Sequence, residues 1–253
     1  MEVLIRNSVT DVARAAANRV LECIRSSATP TLGLATGATQ QGIYRLLIDA
    51  HETGEIAFDK VRFFMLDEYV GVPSSSTRSF QNVLRAEFLD PIDADFGSLE
   101  IIDGNAADLR LEAKRFDATL RAIGGVDLQL LGIGTNGHIG FNEPGSPVSS
   151  RTRVVTLAQE TIASNAHYFD SPAAVPSHAI SQGIGTIMEA KSIVLVANGE
   201  KKATAVAAML EGPVGEECPA SFLRDHPDVT VVLDEAAASL LRSTQTSLAD
   251  AQL

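Results

Sequence analysis

Val126-Asp127-Leu128-Gln129-Leu130-Leu131 runs directly into Gly132-Ile133-Gly134-Thr135-Asn136-Gly137-His138-Ile139-Gly140-Phe141-Asn142-Glu143-Pro144-Gly145. A short, near-continuous apolar run that ends in a glycine-rich turn reads as a strand buried on both faces, the kind that parallel sheets use. Runs of the same character recur at 31–35 (TLGLA), 61–66 (VRFFML), 192–197 (SIVLVA) and 229–233 (VTVVL). Between them, amphipathic stretches at about 10–26, 40–53, 79–89, 107–122, 200–211 and 234–242 predict helices. Buried strands separated by helices of this length imply parallel pairing through right-handed crossovers. The predicted fold class is therefore α/β, a single-domain, open, mostly parallel Rossmann-like sheet with helices on both faces. Residues 1–242 are expected to form that domain, and the polar, small residues 243–253 a short flexible tail.

A chain of 253 residues with 45% hydrophobic content can bury one large core. No apolar run approaches the roughly 20 residues of a membrane span, and the N-terminus lacks the basic, apolar, small order of a signal peptide, so a cytoplasmic protein is expected. Cys23 and Cys218 are too few for a disulfide framework or a structural zinc site and read as reduced thiols. The net charge of −12 argues against nucleic acid or an anionic membrane as partner, since both bind through clustered Lys and Arg. An anionic small molecule must be attracted locally.

Ligands of open parallel sheets bind beyond the carboxyl ends of the strands, so the residues that follow each strand carry the functional reading. After TLGLA, Thr36-Gly37-Ala38-Thr39-Gln40-Gln41-Gly42 leads into a helix, and its backbone N–H groups could cradle a phosphate or form an ordinary capped turn. The Gly37 to Gly42 spacing imitates a P-loop, but Ile43 and Tyr44 stand where Lys and Ser/Thr are needed. After VRFFML, Asp67-Glu68-Tyr69 places two carboxylates where a partly desolvated general base would sit, or where a helix cap would.

Glycines 132, 134 and 137 satisfy the dinucleotide-binding spacing, yet Gly140 and Pro144 spoil the helix which that reading requires, and no acidic residue follows at a strand end. What remains is a loop bearing an imidazole, His138, and a carboxylate, Glu143, a pair suited to proton transfer because the carboxylate can fix the imidazole tautomer. Their spacing matches no helix-borne metal motif. After SIVLVA, Lys201 and Lys202 open a helix. A cation there opposes the helix dipole unless an anion is bound, although solvated lysine pairs are common.

These strings together, Leu34-Ala35-Thr36-Gly37, Asp67-Glu68-Tyr69-Val70-Gly71, Asn136-Gly137-His138-Ile139-Gly140-Phe141-Asn142-Glu143-Pro144 and Gly199-Glu200-Lys201-Lys202-Ala203, resemble the glucosamine-6-phosphate deaminase (isomerase) family over about residues 2–241. The resemblance implies conversion of glucosamine 6-phosphate to fructose 6-phosphate and ammonia, with a sugar phosphate as the partner and neither metal nor cofactor. It implies that His138 opens the sugar ring with Glu143 and Asn136 beside it, and that Asp67 moves a proton from C2 to C1. Thr36, Gly37, Ala38, Thr39, Gly137, His167 and Lys202 would hold the substrate and its phosphate. The family includes monomers and larger assemblies, so a homo-oligomer stays open.

Three positions depart from the family pattern. Asn136 stands where many members carry Asp beside the histidine, and His167 where an arginine usually contacts the phosphate. Val155 replaces a lysine found in members activated by N-acetylglucosamine 6-phosphate, which share Ser146, Arg153 and Thr156, so activation by that effector is not expected. The stretch from Ala158 to Ser181 is expected to form a lid. The rivals are a 6-phosphogluconolactonase, which lacks the Ile-Gly-Phe-Asn-Glu-Pro continuation, and a sugar-phosphate sensor without turnover.

Overall fold

The structure, a computed structural model, describes residues 1–166, 169, 171 and 174–242. The expected tail at 243–253 and His167 lie outside the described residues. In chain order the elements are β1 (Glu2–Arg6), α1 (Val9–Ser26), β2 (Thr31–Leu34), α2 (Ala38–Glu52), β3 (Arg62–Met65), β4 (Asp67–Tyr69), α3 (Phe80–Leu84) and β5 (Leu99–Glu100). There follow α4 (Leu109–Ala122), β6 (Leu128–Gly132), β7 (Arg153–Thr156), α5 (Gln159–Asn165), β8 (His178–Ser181), α6 (Ile184–Ile187), β9 (Ser192–Ala197), α7 (Ala203–Glu211) and β10 (Val229–Asp234).

Local chemistry explains the long helices. Ser8 caps α1 by accepting the Asp11 N–H at 3.1 Å, and Val12, Ala13, Ala16, Ala17, Val20, Leu21 and Ile24 recur every three to four residues on its buried face. Asp108 caps α4 in the same way, accepting the N–H groups of Arg110 and Leu111. The strands are buried because their apolar runs are unbroken: β2 and β10 are buried along their whole length. Tyr44 of α2 stacks on Phe88 with ring centroids 4.7 Å apart, and Phe58 and Phe63 meet Phe88 edge-on. Interlocking rings of this kind contribute about 0.5–1.5 kcal/mol per pair beyond their burial.

One parallel sheet of seven strands runs in the order β1-β10-β9-β6-β2-β3-β5, and a smaller antiparallel sheet in the order β4-β8-β7. The expected mostly parallel α/β sheet is present. Its centre determines where a ligand can sit. β2 and β6 are neighbours, yet the chain proceeds from β2 outward to β3 and from β6 outward to β9 on the opposite side. Connections that diverge from adjacent strands leave a crevice at the strand carboxyl ends, the switch point of open α/β sheets. Residues 35–41 and 132–138 face each other there.

Several expectations need correction. The helix expected over 234–242 is absent: β10 runs to Asp234 and turns follow. The Asp234 carboxylate accepts the N–H groups of Ala237, at 2.7 Å, and Gly199, which ties the segment to the preceding strand connection. The helix expected over 79–89 splits into α3 and a π-helical stretch, Arg85–Leu89. The lysine pair lies in a short 3-10 turn, Glu200–Lys202, ahead of α7. Asp67, expected directly after a buried strand, begins a further short strand, β4, and the expected lid ends in β8, whose residues Ala179 to Ser181 are buried in the small sheet. No helix among the described residues is long and apolar enough to cross a membrane.

Candidate active site

The switch-point crevice deepens into a cavity of about 660 Å³ lined by Thr36, Gly37, Ala38, Thr39, Asp67, His138 and Lys202, with Gly134 and Thr135 at its floor. Folding thus gathers the turn after β2, the carboxylate after β3, the imidazole after β6 and the lysine after β9. Asn136, Gly137 and Glu143 belong to the same loop as His138 but do not themselves line the cavity.

α2 starts at Gly37, which holds φ at +128°, a region that residues with a Cβ rarely adopt, and no side chain caps the helix. The Gln40 N–H donates to the Gly37 carbonyl at 3.0 Å, while Ala38 and Thr39, which line the cavity, are placed to offer their N–H groups to phosphate oxygens. Lys202 lines the same cavity, half-buried, with burial pushing its ammonium pKa down. A desolvated ammonium of this kind gains from an arriving anion.

The adjacent carboxylates Asp67 and Glu68 have different fates. Glu68 accepts the N–H groups of Tyr69, Phe80 and Gln81 at 2.8, 3.0 and 3.0 Å, so it organises the start of α3 and is spent on structure. Asp67 is 7% exposed and faces the cavity, and among the described residues it receives no side-chain hydrogen bond. Burial, followed by the charge of Glu68, pushes its pKa up to about 8. A carboxyl with proton affinity near working pH is equipped to take a proton from carbon and return it.

The second proton-handling group is a relay. His138 Nδ1 lies 2.8 Å from Asn136 Oδ1 and 3.4 Å from Glu143 Oε2. Asn136 Nδ2 donates to Glu143 Oε2 at 2.7 Å, and the Thr161 hydroxyl donates to Glu143 Oε1. Burial raises the Glu143 pKa, but His138, Thr161 and Asn136 more than offset it and hold the carboxyl at about 2. Glu143 is thus an anion that can only accept. The Asn136 amide nitrogen must face it, the Asn136 carbonyl must face His138, and neutral His138 must carry its proton on Nδ1. Nε2 is left bare. The orientation by Glu143 expected from the sequence passes chiefly through Asn136, which relays the polarity of the carboxylate without a second charge. Gly134 makes room for the ring, since a Cβ there would lie 2.2 Å from His138 Cε1.

Several site residues carried no recognisable signal in the sequence. Thr161 stands 18 residues beyond Glu143 in an ordinary polar helix, and Asn165, one turn later, donates to the Tyr69 hydroxyl at 2.9 Å. Phe169 meets Tyr69 edge-on at 5.5 Å, and the Arg78 guanidinium lies 5.8 Å over the Phe169 ring. Glu87, accepting from Gln41 at 2.8 Å, adds an acid to the cavity wall. Only the folded chain brings these side chains together.

A family profile described as glucosamine-6-phosphate isomerases/6-phosphogluconolactonase matches residues 6–232. The chain is 48% identical over 242 residues to a glucosamine-6-phosphate deaminase of Rhodococcus opacus (strain B4), covering 96% of this chain and 93% of that protein. It is 47% identical over 243 residues to one of Streptomyces coelicolor, with 96% and 93% covered. Among solved structures, a monomeric glucosamine-6-phosphate deaminase superposes with a TM-score of 0.93 at 42% identity, covering 95% of this chain and 100% of that one. A 6-phosphogluconolactonase from Trypanosoma cruzi shares the fold, with a TM-score of 0.74 at 22% identity over 95% and 97% of the two chains. By sequence and by fold, then, this chain belongs to the glucosamine-6-phosphate isomerase/6-phosphogluconolactonase family, in its glucosamine-6-phosphate deaminase branch.

Proposed function

We propose that the protein converts glucosamine 6-phosphate and water to fructose 6-phosphate and ammonia. The observation that carries this reading is the pairing, in one cavity, of a buried carboxyl with raised proton affinity, Asp67, and an imidazole of defined tautomer, His138. The phosphate docks on the turn Thr36, Gly37, Ala38, Thr39 at the start of α2 and on Lys202, with His167 as a further contact. Binding of that non-reacting dianion orients the sugar. His138 takes the proton of the C1 hydroxyl on Nε2 and delivers one to the ring oxygen, opening the pyranose. Asp67 then removes the C2 proton, forming an enolamine, and returns a proton to C1. Water adds to the resulting C2 imine and ammonia leaves, so atoms balance without a redox step.

Both proton transfers need a group held within reach of the reacting atom, which rigid strand ends and a glycine-rich loop supply better than a mobile segment. Ser146 and Arg153 are joined at 3.2 Å, and Val155 follows Arg153 by two residues in β7. Lacking a lysine at 155, the protein is proposed to follow hyperbolic kinetics without activation by N-acetylglucosamine 6-phosphate. Sigmoidal kinetics relieved by that compound would refute this part. A cytoplasmic location is proposed, because a sugar phosphate does not cross a bilayer unaided.

The test is to incubate the purified protein with glucosamine 6-phosphate and to quantify fructose 6-phosphate and ammonia separately, with Asp67→Asn as control. Equal yields that vanish in the control support the reading. Absence of both products, with hydrolysis of 6-phosphogluconolactone instead, would assign the lactonase reaction.

A further inference from the structure

The Thr161 hydroxyl reaches Glu143 from α5, a separate element beside the cavity, and Thr161 is 5% exposed. α5 is itself anchored there: Asn165, at its end, lines the cavity and donates to the hydroxyl of Tyr69, two residues from Asp67, and beyond α5 Phe169 packs between Tyr69 and Arg78. Thr161 therefore joins α5 to the relay behind His138. We propose that Thr161 is a positioning residue for proton transfer by His138, the outermost member of the relay Thr161, Glu143, Asn136, His138. The proposal rests on the reading that His138 transfers protons.

The physical route is short. Glu143 has two oxygens: Oε2 is held by Asn136, and Oε1 receives the Thr161 hydroxyl. Without the hydroxyl the carboxylate can rotate, the Asn136 amide loses the acceptor that dictates its orientation, and the His138 proton is no longer confined to Nδ1. His138 is the ring neighbour of Glu143 within the loop, and Arg153 is directed to Asn142 and Ser146 instead. Thr161 is not among the residues that line the cavity, so substrate binding is not expected to change.

The test compares Thr161→Val, which keeps the shape and removes the hydroxyl, with Thr161→Ser, which restores a hydroxyl. Loss of one hydrogen bond to a charged group corresponds to a fall of about tenfold to a hundredfold in kcat. Thr161→Val should show that fall with KM within about twofold of the parent, and Thr161→Ser should recover most of it. The 15N shifts of the His138 ring, assigned through His138→Gln and recorded without substrate, should show a mixed tautomer in Thr161→Val and the Nδ1-protonated form in the parent and in Thr161→Ser. That spectrum does not depend on turnover, so it stands even if glucosamine 6-phosphate is not the substrate. Unchanged ring shifts in Thr161→Val, or an equal loss in the Val and Ser variants, would overturn the proposal.

Discussion

Asp67 and Glu143 are both carboxyl groups at the carboxyl end of the central sheet, yet they sit in opposite protonation regimes. Asp67, buried without a side-chain donor among the described residues and next to Glu68, is pushed up to about 8, whereas Glu143, half-buried but given an imidazole, a hydroxyl and an amide, is held at about 2. Burial without donors pushes Asp67 up, whereas at Glu143 the donors outweigh burial; at Glu68 burial still outweighs its three N–H donors and raises the carboxyl, so the balance and not the presence of donors decides. In the proposed mechanism Asp67 abstracts a proton from carbon and Glu143 fixes the tautomer of a neighbour, a division between two like groups set by environment.

The most severe way to break the comparison is Asp67→Asn, which should lower kcat by about 10³-fold or more, the scale of a general base, with KM little changed. The same variant tests the electrostatic half. A folded-state pKa raised above the unfolded value means that the folded protein binds the extra proton between about pH 4 and pH 8, so the parent should lose stability across that window as pH rises. Asp67→Asn should flatten the slope and be the more stable protein above pH 8 in thermal melts. Parallel curves would mean that Asp67 is not desolvated in the way described.

Glu143→Gln probes the other side. An amide can donate as well as accept, so it permits Asn136 to flip and should lower kcat by about a hundredfold. Here the linkage has the opposite sign: the depressed pKa of Glu143 stabilises the parent above about pH 4, and that contribution is lost as pH falls toward 2. A Glu143→Gln variant that kept the full acid sensitivity of the parent would assign that sensitivity to other groups.

Lys202→Ala sharpens the comparison by leaving both carboxyls intact. It should raise KM by about tenfold with kcat nearly constant, since it removes a charge-assisted contact to the non-reacting end of the substrate. The smallest effect is expected at His167. His167→Arg should lower KM by about two- to fivefold, because a permanent bidentate cation replaces a group largely neutral at pH 7. An unchanged KM would remove His167 from the phosphate site.

Much of the fold was legible because its central strands are buried on both faces and therefore read as unbroken apolar runs. β2, β3, β6, β9 and β10 were each visible in this way, as were α1, α2, α4 and α7 through their helical periodicity. The edge strand β1 went unassigned because its residues are half exposed, and β5, at two residues, is too short to carry a pattern. The strands of the small sheet span three or four residues each, so their pairing rests on tertiary contacts rather than on any local period.

The sequence by itself determined the parallel α/β architecture and the strand ends on which Asp67, His138 and Lys202 stand, because apolar period and glycine placement are local properties. Only the tertiary structure decided which of Asp67 and Glu68 faces the cavity and which is engaged by backbone, since that depended on the three N–H groups that Glu68 receives. It likewise decided that Thr161 stands behind Glu143 and that Asn136 lies between Glu143 and His138. Proton affinity is set by desolvation and by donors brought from distant parts of the chain, and neither is written in the neighbours of a residue along the sequence.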